Sequence, residues 1–260
     1  MTSILLPVNT RPVDPSLAEQ MRAWGADPDL GKTLADGLTE AGFQVITFDY
    51  EGRLARHPQP DTLTADQVAA DLLAVADEAG VERFAYYGYS WLALSGLQLA
   101  LRTDRLTGLA MGGYPPLGGP YDAMLTVTRA AHRMALENAG KPPRTEEIEP
   151  GDWDAAGVSA TPDQTKQYLT LYESLIGFDE RAALSRLTVG KRLAFAGEDD
   201  NIQYNGDWDD AYVGLADGLA TNRDELISRG WTVELIAGAD HIKAMQAAVV
   251  LPILIDWLRG

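Results

Sequence analysis

Three kinds of polar side chain stand where they could do covalent chemistry together. Ser90 lies in Phe84-Ala-Tyr-Tyr-Gly88-Tyr-Ser90-Trp-Leu-Ala-Leu-Ser-Gly96, where a short apolar run passes through a turn into a helical stretch. Gly88 suits so sharp a turn, because a side chain two residues before the serine would collide with the turn that lifts the hydroxyl clear. Serine is a poor nucleophile at its ordinary pKa and needs a base beside it, most often histidine. The chain has only three histidines: His57 in a Pro-rich loop, His132 in a helical stretch, and His241 just after the last apolar run. Carboxylates that could orient a base follow the run Leu193-Ala-Phe-Ala-Gly197, as Glu198, Asp199 and Asp200. Serine, histidine and carboxylate make a nucleophile, its base, and an acid that fixes the imidazole tautomer and stabilises the imidazolium.

Such groups need a scaffold that brings distant loops together. Short runs rich in branched and aromatic residues, at 4–8, 44–48, 83–87, 106–111, 192–196 and 232–236, alternate with longer amphipathic stretches. That rhythm predicts an α/β fold, with helices packed on a mostly parallel sheet of about six strands. Pro7 cannot donate to a sheet ladder and marks the end of the first strand. Leu30, Leu34 and Leu38 recur every four residues before the helix stop Gly42. Thr64 and Gln67 read as a capping box ahead of the stripe Val68, Leu72, Val75 and Ala79, which Gly80 ends. Two further helices are expected over 91–101 and 243–258. Between about 115 and 179 the rhythm breaks into helical stretches near 121–138 and 162–176, joined by a connection rich in Pro, Gly and Glu. This reads as a helical lid inserted in a single domain covering 1–260.

Composition narrows the functions. At 260 residues and 46% hydrophobic, the chain can bury one large core. There is no cysteine, hence no disulfide framework, cysteine nucleophile or thiolate metal site, which fits a cytoplasmic location. The N-terminus does not read as a secretory signal, and no apolar run approaches membrane-spanning length. With 38 acidic and 21 basic residues the formal charge is −17, which disfavours nucleic acid and anionic membrane surfaces as partners. A small-molecule substrate is the expected partner, and no cofactor or metal is called for.

The segment Gly88-Tyr-Ser90-Trp-Leu92 resembles the nucleophile elbow G-x-S-x-G of the α/β-hydrolase family, with Leu92 where the second glycine usually stands. In that family an apolar strand followed by G-x-x-D commonly carries the triad acid, a position that Asp200 occupies. The loop after the last strand carries the histidine, here His241. The resemblance thus implies a Ser90, Asp200, His241 triad, in the chain order of that fold. It also implies an oxyanion hole from the backbone N–H of Trp91, after the nucleophile, and a second donor in the loop after the first strand. There the family often has His-Gly and this chain has Val8-Asn9-Thr10-Arg11, so Thr10 is the candidate donor and Asn9 a residue shaping the loop or meeting substrate. Asp49-Tyr-Glu-Gly-Arg53 resembles the family's D-x-R-G turn with Glu51 in place of the arginine, a motif whose usual role is structural. The likeness spans nearly the whole chain but lacks the family's first two strands.

The resemblance implies a serine hydrolase for a small to medium, mostly neutral carboxylic ester, thioester or lactone, working through an acyl-enzyme without a cofactor. Tyr89, Tyr114 and Trp153, with Trp91, Tyr168 and Tyr172, are expected to supply an aromatic pocket. A serine at the elbow argues against the carboxylate-nucleophile chemistry of dehalogenases and epoxide hydrolases. The alternatives are a carbon–carbon hydrolase or lyase on the same scaffold, and a ligand-binding or interaction protein with a degenerate triad.

Overall fold

The computed structural model describes residues 2–141 and 160–260. Strands β1 (Ser3–Leu6), β2 (Gln44–Thr47), β3 (Phe84–Tyr89), β4 (Leu106–Gly112) and β5 (Lys191–Gly197) belong to the main sheet, and β6 (Asn201–Gln203) and β7 (Tyr212–Gly214) form a small antiparallel hairpin. Strand β8 (Trp231–Ile236) completes the main sheet, whose six strands run in the order β2-β1-β3-β4-β5-β8, every pair parallel.

Both faces of this sheet are covered, which is why its strands read as apolar runs without a polar alternation. Successive side chains nonetheless point to opposite layers. Ile4, Leu6, Ala85, Tyr87, Ala110, Leu193 and Phe195 pack with the helices Leu30–Glu40 and Ala247–Arg259. Leu5, Phe84, Tyr86, Leu109, Met111, Ala194 and Ala196 face the other layer, which holds the helices Ala65–Glu78 and Trp91–Ala100. The second of these is wrapped in protein: every residue from Leu92 to Ala100 is buried.

Each expected strand forms, with its ends moved by a residue or two. β1 stops at Leu6, before Pro7, and β3 continues through Tyr89 because Tyr89 still pairs with Gly112. The C-terminal helix does not run unbroken over 243–258. A short helix His241–Ala244, capped by the Asp240 carboxylate on Lys243 N–H, gives way at extended Gln246 to Ala247–Arg259. Gln246 explains the break, since its side chain donates to Ile242 C=O and accepts from Asp27 N–H. The capping box at Thr64 is half made: Thr64 accepts from Gln67 N–H, but the Gln67 amide reaches forward to Asp71. A complete box forms instead at Thr161 and Gln164, opening the helix Pro162–Glu173.

Helices Tyr121–Asn138 and Pro162–Glu173 bracket the undescribed segment, and His132 Nδ1 meets Thr165 Oγ1 between them at 3.1 Å. The sequence pattern gave no sign of the hairpin Asn201–Gly214, whose strands are three residues each, nor of the short helices Pro15–Ala23 and Tyr50–Arg56.

Leu97 is fully enclosed on the buried helix. Leu97→Ala is expected to lower the unfolding free energy by about 2–5 kcal/mol, measured by urea denaturation, because its surroundings cannot collapse into the space.

Candidate active site

The turn after β3 holds Ser90 at φ 57° and ψ −131°, a conformation that a residue with a side chain seldom adopts. It is fixed from several sides. Ser90 N–H donates to Gly112 C=O of β4 at 2.8 Å, and Ser90 C=O accepts from Ala93 and Leu94 N–H. A Cβ on Gly88 would stand 2.3 Å from Leu92 O, so a glycine is needed there. Leu92 in turn points into the core, at 6% exposure, while its carbonyl accepts from Tyr86 Oη at 2.8 Å. The close approach expected of a second glycine is taken one turn later by Gly96, where a Cβ would meet the Tyr86 ring at 2.4 Å.

The acid and the histidine come together from β5 and β8. A Cβ on Gly197 would lie 2.0 Å from Ala239 O, so glycine lets the loop after β8 close over the end of β5. Asp199 N–H donates to Ala239 C=O, and Asp200 C=O accepts from Ala216 N–H, which holds the acid's backbone between the loop after β8 and the helix Leu215–Thr221. The Asp200 side chain is wholly enclosed, with its oxygens 2.9 and 3.0 Å from His241 Nδ1. An ionised carboxylate only accepts, so Nδ1 must carry the proton. Neutral His241 therefore presents a lone pair at Nε2, the form of a base. Asp199 and Glu198 are both exposed, and neither hydrogen-bonds to the imidazole.

Tyr89 links the elbow to the histidine. Its hydroxyl donates to His241 C=O at 2.8 Å, and the two rings lie 5.0 Å apart. Burial, with the charge of Asp200 adding to it, raises the phenol's pKa and keeps it a donor. Tyr89 thus braces the histidine rather than presenting its hydroxyl to a ligand. The Ser90 hydroxyl and His241 Nε2 make no hydrogen bond among the described residues: Asp200 is joined to His241, and Ser90 directly follows Tyr89, whose hydroxyl holds the histidine's carbonyl.

The remaining candidates divide. Trp91 opens a helix, so its N–H has no intrahelical acceptor. Thr10 N–H likewise has no partner among the described residues, in a loop that Asn9 folds by accepting from Arg11 N–H and donating to Arg11 C=O, both at 3.0 Å. Asn9 is thus spent on loop shape. Tyr114, 2% exposed, lies in the core with its ring edge-on to Tyr121, and is not an open pocket wall. Tyr172 is buried as well, whereas Tyr168 remains partly open against Trp91. Trp153 lies outside the described residues.

Sequence reasoning gave Glu51 only a structural place, yet its Oε1 accepts from Trp91 Nε1 at 2.8 Å. Its signal was an acid where the family motif has arginine. A separate open recess of about 530 Å³, lined in part by Trp24, Asp200, His241 and Ile242, reaches the acid–histidine pair from the side. Among the described residues no cluster of three His, Asp or Glu side chains is placed to hold a metal ion, and no helix is long and apolar enough to cross a membrane.

The sequence matches no family model and no curated protein. Solved structures resemble it along its whole length. An esterase from Thermogutta terrifontis is 17% identical with a TM-score of 0.60, over 100% of this chain and 90% of that one. The enol-lactonase of Burkholderia xenovorans is 17% identical at a TM-score of 0.59, over 100% and 92%. A bromoperoxidase from Bacillus anthracis is 18% identical, also at 0.59 and over 100% and 92%. At these identities the likeness is one of fold, and that fold is the α/β-hydrolase fold.

Replacing Gly88 by alanine is expected to cost about 1–3 kcal/mol of stability, because the clash is with backbone atoms of the following helix. Guanidinium unfolding of Gly88→Ala beside Gly190→Ala, whose position is sterically open and not at positive φ, separates this crowding from the general effect of losing a glycine.

Proposed function

We propose that the protein is a serine hydrolase that cleaves a carboxylic ester, thioester or lactone through an acyl-enzyme. The observation that carries this reading is the enclosed Asp200 carboxylate on His241 Nδ1, with the histidine's carbonyl held by Tyr89, the residue before a serine in a strained turn. His241 Nε2 would take the Ser90 proton as Oγ attacks the carbonyl carbon, and Asp200 would stabilise the imidazolium. The imidazolium would then return the proton to the leaving oxygen or sulfur. In the second half, water would give its proton to Nε2 and attack the acyl carbon, releasing the acid and free Ser90.

The N–H groups of Trp91 and Thr10 are the proposed donors to the oxyanion, each worth about 3 kcal/mol of transition-state stabilisation. The similarity in fold to an esterase and an enol-lactonase agrees with acyl transfer. The helices Tyr121–Asn138 and Pro162–Glu173 would form a lid over a single catalytic domain, a placement supported by Tyr168 lying edge-on to Trp91 at 5.3 Å.

Incubation with a fluorophosphonate should add one adduct, on Ser90, seen by intact mass and peptide mapping. Labelling should vanish in Ser90→Ala and slow strongly in His241→Ala; a folded protein that stays unlabelled would overturn the reading. Asp200→Asn should lower kcat toward an activated ester by about 10⁴-fold, because an amide facing Nδ1 favours the tautomer with no lone pair at Nε2.

A further inference from the structure

His241 sits on a helix of four residues, His241–Ala244, which is too short to hold itself in place. Its position is set from outside. The imidazole meets Asp200, the His241 carbonyl accepts from Tyr89 Oη at 2.8 Å, and the next carbonyl, of Ile242, accepts from Gln246 Nε2 at 2.6 Å. Two successive carbonyls are thus held by side chains from outside the short helix. Tyr89 fastens the first to the strand that leads to Ser90, and Gln246 fastens the second to a different part of the chain.

The other end of the Gln246 amide, Oε1, accepts from Asp27 N–H at 3.2 Å. Asp27 stands at the turn into the helix Leu30–Glu40: its carbonyl accepts from Leu30 N–H at 3.2 Å and its carboxylate from Asp29 N–H at 2.9 Å. That helix lies close against the loop after β1, since a Cβ on Gly31 would stand 2.0 Å from Asn9 O. Thr10, the candidate oxyanion donor, comes next. One side-chain amide therefore runs from the residue after the base to the segment that supports the oxyanion loop. Open space flanks this bridge, because Ala23, Trp24 and Gly25 on one side and His241 and Ile242 on the other line the same recess of about 530 Å³. Joining a carbonyl to an N–H takes a group that donates and accepts at once, as an amide does and a carboxylate does not.

We infer that Gln246 is a positioning residue, which holds the His241 imidazole in register with the loop after β1 so that base and oxyanion donor are set against each other through one side chain. Its bearing on catalysis rests on the serine-hydrolase reading, but its hold on the histidine does not.

Two variants test this. Gln246→Met, of similar length, removes both bonds; Gln246→Glu, ionised at about pH 8, keeps the acceptor for Asp27 N–H but cannot donate to Ile242 C=O. In each, the rate of fluorophosphonate labelling is measured, together with the exchange with water of the His241 Nδ1 proton, followed by proton NMR. Both variants should label at least about tenfold more slowly, because a misplacement of about 1 Å can cost about a hundredfold, and their Nδ1 proton should exchange at least about tenfold faster. In a His241→Ala background, with no base left to place, the same substitutions should change the residual labelling rate by less than about twofold. Unchanged Nδ1 exchange in a folded variant, or slowing that persists without His241, would overturn the inference. The unaltered protein gives a check that a misfolded variant cannot blur: Asp27 N–H should be protected from deuterium exchange, and rapid exchange there would remove the bridge. A protein that never labels, yet loosens its Nδ1 proton in both variants, keeps the positioning role and loses the hydrolase reading; one that labels with unchanged exchange does the reverse.

Discussion

A carboxylate sealed from water is tolerable only when something offsets its lost hydration, and among the described residues Asp200 has a single side-chain partner for this, the Nδ1 of His241. The organisation of the carboxyl edge of the sheet follows from that one contact. Gly197 must lack a side chain so that the loop after β8 can approach, and Ala239 and Ala216 must hold the acid's backbone in place. Tyr89 must reach from the strand that leads to Ser90 to the histidine's carbonyl. Each of these serves the geometry of a pair of side chains far apart in sequence.

The strained serine belongs to the same economy of space. A left-handed backbone at Ser90 is held by β4 on one side and by its own helix on the other, and the helix can be held so firmly because it is buried along its length. Stability stored in the packing of Leu94, Leu97 and Leu99 sustains a conformation that the chain would otherwise abandon. Leu92 shows how a departure from the elbow motif is absorbed: its side chain joins the core, and Gly96 supplies the close contact with Tyr86.

Much of the fold was legible because a sheet covered on both faces writes its strands as continuous apolar runs, and the helices between them keep a strict apolar stripe. The hairpin Asn201–Gly214 was not, since three-residue strands leave too short a pattern, nor was the break at Gln246, which depends on a contact with Asp27 far away in sequence. Gln67 could equally cap its own helix or reach Asp71, and the network of Asp71 with Tyr50 and Arg53 decided for the latter. The candidate pocket was the least legible part. Tyr89 and Tyr114 are aromatic and near the right loops, but whether a ring faces a ligand or the core is a matter of neighbours.

The sequence by itself determined the alternating α/β architecture, the glycine-dependent turn at Ser90 and the placing of a carboxylate and a histidine after later strands, because these depend on residue type and local spacing. Only the tertiary structure decided that Asp200, rather than Asp199 or Glu198, meets His241, that Tyr89 braces the histidine, and that Glu51 accepts from the indole of Trp91. Those are choices among chemically similar side chains, and they are settled by burial and by partners that folding brings from elsewhere in the chain.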